Sequence, residues 1–166
     1  MIKISWLDIE INEKIYKRLL IAGIICIFLY CLIVLFSISL PRVYKMDKNT
    51  ILDEQESVKN GVNSLYRGAN RLDIFGWAYK QGQDLKRFEN YYVLKNTKTD
   101  KMYILNTGMK DIPELEKVEA KYDCSNGGMR SQTIVLGIDD GTYELYVLYK
   151  SDGESILSNT HVVVEI

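Results

Sequence analysis

The chain of 166 residues is poor in the side chains that carry most protein chemistry, with three cysteines, one histidine and two prolines. Cys26 and Cys31 fall inside the longest apolar run, five residues apart and so on different helical faces. Cys124 stands alone in the remainder, which therefore has no internal disulfide. No Asn-x-Ser/Thr acceptor occurs either, and together these absences favour a bacterial envelope protein over a secreted animal one. His161 is the sole histidine, and with Cys124 it is too little for a Cys/His zinc site. Asp139-Asp140 with Asp123 or Asp152 lacks EF-hand spacing, and acids before a glycine are ordinary turn formers. No metal and no other cofactor is predicted.

The catalytic signatures are missing as well. There is no Gly-x-Ser-x-Gly, phosphate loop or dinucleotide fingerprint, and one histidine would have to fill every base role. Cys124, beside Asn126-Gly127-Gly128, reads as a spare thiol at a strand end. Two carboxylates can always meet in space, so a small envelope enzyme is kept as an alternative. Beyond the apolar run, 17 Lys or Arg face 19 Asp or Glu with the signs interspersed, which excludes a nucleic-acid footprint.

Charge itself is absent from the 23 positions between Arg18 and Arg42. Leu19 to Leu40 (LLIAGIICIFLYCLIVLFSISL) is 22 residues, a helix of about 33 Å against a hydrocarbon core of roughly 30 Å. It is too long for a signal-peptide core and ends without an Ala-x-Ala site. A buried helix would need apolar cover on all sides, more than the remaining chain supplies. The segment is read as one transmembrane helix ended by Pro41, with the lipid bilayer as its first partner. It contains no ionisable Asp, Glu, Lys, Arg or His for transport and no Gly-xxx-Gly pair, since Gly23 is followed at 27 by Ile27.

Lys14, Lys17 and Arg18 precede the span, and Arg42, Lys45 and Lys48 follow it. Lys17 and Arg18 sit directly against it, so the leader, residues 1–18, is expected in the cytoplasm and the larger part outside. Trp6, Lys17, Arg18, Arg42 and Tyr44 are the expected membrane-interface residues. The leader either lies in the headgroup layer on Trp6 or belongs to a helix that begins early. Residues 41–61 are expected to be a stalk or short helix, with Asp53 to Glu56 suited to a first helical turn.

From 62 to 166 the texture is that of short strands rich in Tyr, Val, Ile and Leu between turn residues. Arg71–Tyr79 alternates, with Leu72, Ile74, Gly76 and Ala78 on one face and Phe75, Trp77 and Tyr79 on the other. Asn90–Asn96 and Lys101–Asn106 flank a hairpin loop at Thr97 to Asp100. Ser131–Ile138, Thr142–Lys150 and His161–Ile166 follow, with a weaker strand near Val62–Arg67. Only Asp111–Tyr122 suits a helix, with Pro113 in its first turn. About seven strands and no run of amphipathic helices predict a mainly β fold, an immunoglobulin-like β-sandwich after one N-terminal transmembrane helix.

Ten of the 12 tyrosines follow the span. Tyr and Trp rings stack on sugars and dominate protein interfaces, although strands favour them in any case. Trp77, Tyr79, Tyr91 and Tyr146 are the candidate ligand or partner contacts, with core packing of Trp77 as the competing reading.

Two runs, Ile74-Phe75-Gly76-Trp77-Ala78 and Gly141-Thr142-Tyr143-Glu144-Leu145, resemble the strands of a recurrent bacterial membrane-anchored immunoglobulin-like envelope domain associated with cell-surface polysaccharide systems. The likeness covers about Arg71 to Ile166. Asp111-Ile112-Pro113-Glu114 stands where those domains carry an Arg-Pro-Asp-like turn, without the Arg. The resemblance implies setting and fold and no catalytic residue. The expected function is therefore a non-catalytic, single-pass accessory or assembly subunit of an envelope complex for surface glycan synthesis or export. Its expected partner is a multi-pass membrane protein or a second copy of the chain. A surface-anchored glycan-binding module is the alternative.

Overall fold

The computed structural model describes residues 2–4, 9–11, 13–83, 88–113, 115 and 122–166. Trp6 and most of the segment expected as a helix at Asp111–Tyr122 lie outside the described residues. The chain divides into two units, Met1–Ile38 and Ser39–Ile166.

In the first unit, β1 (Ile2–Ile4) pairs antiparallel with β2 (Ile9–Ile11), and α1 runs from Glu13 to Ser39. The helix starts six residues before the apolar run, so Lys14, Lys17 and Arg18 are helical, and Lys17 Nζ pairs with Glu13 Oε1 at 2.8 Å. This is the early start that the sequence left open. Of its 27 residues none is buried by protein, and its length and composition suit a single membrane crossing. Ser37 donates its hydroxyl to the Ile33 carbonyl at 2.8 Å, which satisfies a polar group without an outside partner.

The second unit is mainly β, with two sheets. One has the order β5 (Val58–Arg67), β6 (Arg71–Lys80), β10 (Gly128–Ile134), β9 (Thr107–Lys110). The other has the order β3 (Arg42–Tyr44), β8 (Met102–Ile104), β7 (Phe88–Asn96), β11 (Thr142–Ser151), β12 (Glu154–Glu165), β4 (Thr50–Leu52). All pairings are antiparallel except β4 with β12.

Local sequence accounts for the hairpins. Asp152 and Gly153 both take positive φ in the two-residue turn between β11 and β12, as an Asp-Gly hairpin requires. In the β7–β8 loop the Asn96 side-chain carbonyl accepts from the N–H groups of Lys98 (2.9 Å) and Thr99 (3.0 Å), an Asx turn.

One core cluster draws on both sheets. Leu72, Ile74, Ala78 and Met129 come from the first, and Tyr92, Leu94, Tyr143, Leu145, Val147 and Tyr149 from the second. Cys124 is buried in this cluster, consistent with a small apolar role. At Gly76 a side chain of the second sheet reaches the backbone of the first. The hydroxyl of Tyr92 lies 2.7 Å from the place a Gly76 Cβ would occupy. That hydroxyl has no hydrogen-bond partner among the described residues, and burial pushes its ionisation well above the usual phenol range.

Residues 41–61 differ from the expected stalk or short helix. β3 and β4 take up opposite edges of the six-stranded sheet, and β5 begins at Val58. Asp53 starts no helix. Its carboxylate accepts from Ser57 N, Ser57 Oγ and Val58 N, each at 2.8 Å, and closes the turn that leads into β5. Desolvation opposes the carboxylate, but these bonds outweigh it and lower its pKa. The part of β5 before the expected strand Val62–Arg67 carries Asn60 and Gly61, ordinary turn formers, and within that strand Asn63 does not pair in turn. Asn63 is instead an extra residue in a bulge, between the pairs Val62–Gly76 and Ser64–Phe75.

Candidate functional site

On β6 the fully buried Leu72, Ile74 and Ala78 face the core, so Asp73, Phe75 and Trp77 project from the other face of the four-stranded sheet. Register brings four further side chains beside them. Tyr66 and Gln132 flank Asp73, while Ser64 and Arg130 flank Phe75. Trp77 lies between Gly61 and Gly128. Its indole spreads over Gly61, where an added Cβ would come within 2.8 Å of Cε2 and Cζ2. Ile112 likewise covers Gly128. Gly61 therefore lets a large ring lie flat, half-buried and packed on the core cluster.

Asp73 organises the polar part of this face. Its carboxylate accepts from Arg130 Nε at 3.1 Å and Arg130 Nη2 at 2.8 Å, a two-pronged pair, and from Gln132 Nε2 at 2.9 Å. Arg71 Nη2 stands 3.5 Å away. The Arg130 hydrogen bond above all, then that of Gln132 and the charges of Arg130 and Arg71, outweigh desolvation and hold the carboxyl at about 2. Ser64, Tyr66, Asp73, Phe75, Lys110, Asp111 and Arg130 line a shallow cleft of about 470 Å³. Tyr66 is 68% exposed and offers its ring to solvent at the rim.

A depressed pKa in the folded state makes the Asp73 contribution complete above the ordinary carboxylate value near 3.9. It is lost as pH falls toward about 2. In acid titrations followed by thermal unfolding, the wild type should exceed Asp73→Asn at pH 6, and the gap should close between pH 4 and pH 2. A gap that is constant over this range would show that the carboxylate charge is not what stabilises the face.

The four aromatic candidates do not form one site. Trp77 and Tyr79 stack, with ring centroids 5.6 Å apart, and Tyr79 is buried. Tyr91 and Tyr146 belong to the six-stranded sheet, where Val93, Leu148 and Leu157 form a second cluster flanked by Tyr44, Tyr91, Met102, Ile104 and Tyr146. Tyr91 Oη donates to Glu89 Oε2 and Tyr146 Oη to Glu144 Oε2, both at 2.9 Å. Burial, with the Glu144 hydrogen bond and charge, pushes the Tyr146 phenol up to about 12. Both rings are thus committed to packing and to neighbouring carboxylates. Among the interface candidates, Lys17, Arg18 and Arg42 are exposed, whereas Tyr44 is turned onto the second cluster.

The cleft residues Tyr66, Asp73, Arg130 and Lys110 escaped the sequence reading. Alternation in Arg71–Tyr79 puts Asp73 beside Phe75 and Trp77, but the placement of Arg130 and Tyr66 depends on cross-strand register. Three of the four acids considered for calcium have other partners, Asp152 accepting from Gln83 Nε2 at 3.4 Å. Asp139 accepts from Lys101 Nζ at 2.8 Å and Tyr103 Oη at 3.1 Å, and Asp123 from Ser125 Oγ at 2.6 Å. Among the described residues no group of three His, Cys, Asp or Glu converges on a point. No protein-family model, no curated protein and no solved structure matches the chain.

Proposed function

We propose that the chain is a non-catalytic, single-pass membrane accessory or assembly subunit of a bacterial envelope complex, with its N-terminus cytoplasmic and its β unit extracytoplasmic. The observation that carries this reading is α1, an apolar helix of 27 residues with no residue buried by its own protein. Such a helix is covered by lipid or by another membrane helix, and a multi-pass partner or a second copy supplies the latter. The orientation rests on Lys17 and Arg18 at the start of the apolar run. An immunoglobulin-like sandwich is supported by the sheet orders β5-β6-β10-β9 and β8-β7-β11-β12, which follow the Greek-key arrangement of that fold. The link to surface glycan rests on the resemblance of Ile74–Ala78 and Gly141–Leu145 to envelope domains from polysaccharide systems. Extraction from native membranes in mild detergent, followed by mass identification, tests the assembly role. A stoichiometric membrane partner or a dimer is expected, and a monomer purified alone overturns it.

The cleft favours a second reading, a glycan-binding module. An exposed tyrosine beside Phe75 and a fixed Asp73–Arg130 pair combines a stacking ring with hydrogen-bonding groups suited to sugar hydroxyls. In this reading Tyr66→Ala abolishes retention on the cell's own surface polysaccharide and leaves the unfolding midpoint within a degree or two. Equal retention of the wild type and Tyr66→Ala on that polysaccharide removes it. Tyr66 is a cleaner probe than Trp77, whose indole also packs on the core.

A further inference from the structure

Eight large hydrophobic side chains are exposed among the described residues of Ser39–Ile166. Four of them, Val43, Met46, Ile51 and Leu52, fall within ten consecutive positions. Their exposures are 58%, 44%, 63% and 50%. Water-facing apolar residues scattered singly need no explanation, but a concentration in one short stretch does. The same stretch carries Arg42, Lys45 and Lys48 against the single acid Asp47. All four charged side chains are exposed.

The stretch is also the part of the β unit that follows directly on the helix. α1 ends at Ser39, and three residues on, Arg42 opens β3, a reach of at most about 10 Å of extended chain. From β3 the chain runs through 45–49 to β4, and the hydroxyls of Tyr44 and Thr50 stand 3.4 Å apart. Tyr44 and Thr50 are the inward members of this bow, on the second cluster and buried respectively, while the four apolar residues remain exposed. In sequence the acids resume beyond it, and in space Glu89, Asp152 and Glu154 share with Lys150 the groove that Tyr44, Asp47 and Thr50 line. The Asp53 carboxylate is taken up by Ser57 and Val58, and Glu54 and Glu56 follow.

We infer that Arg42–Leu52 is a membrane-docking segment, with Val43, Met46, Ile51 and Leu52 in the headgroup layer and Arg42, Lys45 and Lys48 on anionic lipid phosphates. The inference rests on the reading of α1 as a span. A lipid surface is the occupant because the tether keeps the segment beside one, and because apolar side chains interspersed with bases are what an anionic interface binds. A water-soluble partner would have to displace a surface already present at high effective concentration.

The test uses the full chain in nanodiscs, with Cys26→Ala and Cys31→Ala removing the exposed thiols and Cys124 left buried. Nitroxide labels are placed singly through Val43→Cys, Met46→Cys and Ile51→Cys, with Ile27→Cys as the reference inside the span. Collision with oxygen and with a water-soluble nickel complex is then measured in phosphatidylglycerol and in phosphatidylcholine nanodiscs. In phosphatidylglycerol, nickel collision at the three sites should fall severalfold below that of a free nitroxide. Arg42→Glu, Lys45→Glu and Lys48→Glu together should return it toward the aqueous value. Full nickel access at all three sites, with the Ile27 label in hydrocarbon, overturns docking and leaves the span standing. An aqueous Ile27 label overturns the span reading itself. Protection that is equal in both lipids and unchanged by charge reversal overturns the anionic-lipid assignment.

Discussion

Gly76→Ala should remove a large share of the stability of the β unit. A Cβ at this position comes within 2.7 Å of the Tyr92 hydroxyl and 3.1 Å of Val62 Cα, and closer still to the Gly61 carbonyl. Two of these three neighbours are backbone of β5, so no rotamer change relieves them, and the β5–β6 ladder itself has to move. Overpacking of this kind costs about 3 kcal/mol or more, against about 5–15 kcal/mol for a whole domain. Urea unfolding of the detergent-solubilised chain, followed by the strand signal in circular dichroism, reads the loss. Tyr92→Phe alone should be neutral or stabilising by up to about 1 kcal/mol, because it removes a buried hydroxyl that has no partner among the described residues. Combined with Gly76→Ala it should restore only part of the loss, since the clash with β5 backbone remains. A Gly76→Ala protein within about 1 kcal/mol of wild type would show that neither the β5 backbone nor Tyr92 crowds this position.

The second large effect concerns insertion of α1. Leu19–Leu40 holds 15 Leu, Ile, Val or Phe residues. At about −0.5 kcal/mol each near the centre of a helix, they contribute roughly −7 kcal/mol to insertion. One Arg at the centre costs about 3 kcal/mol, and replacing an Ile or Leu forfeits about 0.5 more. Leu29→Arg alone should therefore still insert. Ile25→Arg with Leu29→Arg should bring insertion near balance, with a visible fraction outside the membrane. Adding Ile33→Arg should eject the segment. Carbonate extraction of membranes, scored by immunoblot, measures the three steps. Full membrane retention of the triple variant would mean that a partner helix, rather than hydropathy, holds α1 in place.

How far the fold was legible follows from which interactions are local. The apolar run was readable because insertion depends on composition summed along one segment, with no need for tertiary contacts. β6 and β11 were readable because each buries one face, which imprints a period of two on the sequence. β5 and β12 were read short because bulges at Asn63 and around His161, whose φ is +59°, break that period. The stalk reading failed for a different reason. Arg42–Tyr44 and Thr50–Leu52 are three-residue strands, and so short a strand takes its conformation from the edge it joins rather than from its own residues.

The candidate site divides in the same way. That Phe75 and Trp77 share a face is a property of one strand. That Trp77 can lie flat depends on Gly61, which is 16 positions away in sequence and adjacent only through register. Tyr91 and Tyr146 looked equivalent to Trp77 as exposed-aromatic candidates, yet they sit on the other sheet with their hydroxyls on Glu89 and Glu144.

The sequence by itself determined the membrane-length helix, the mainly β character of the rest and most of its hairpin turns, because hydropathy, alternation and turn chemistry act over a few residues. Only the tertiary structure decided that the segment after the helix supplies two sheet edges. It also decided that Asp73 is held by an arginine 57 residues away and that Tyr92 presses on Gly76. Those facts depend on register and on the close approach of two sheets, and no local pattern encodes either.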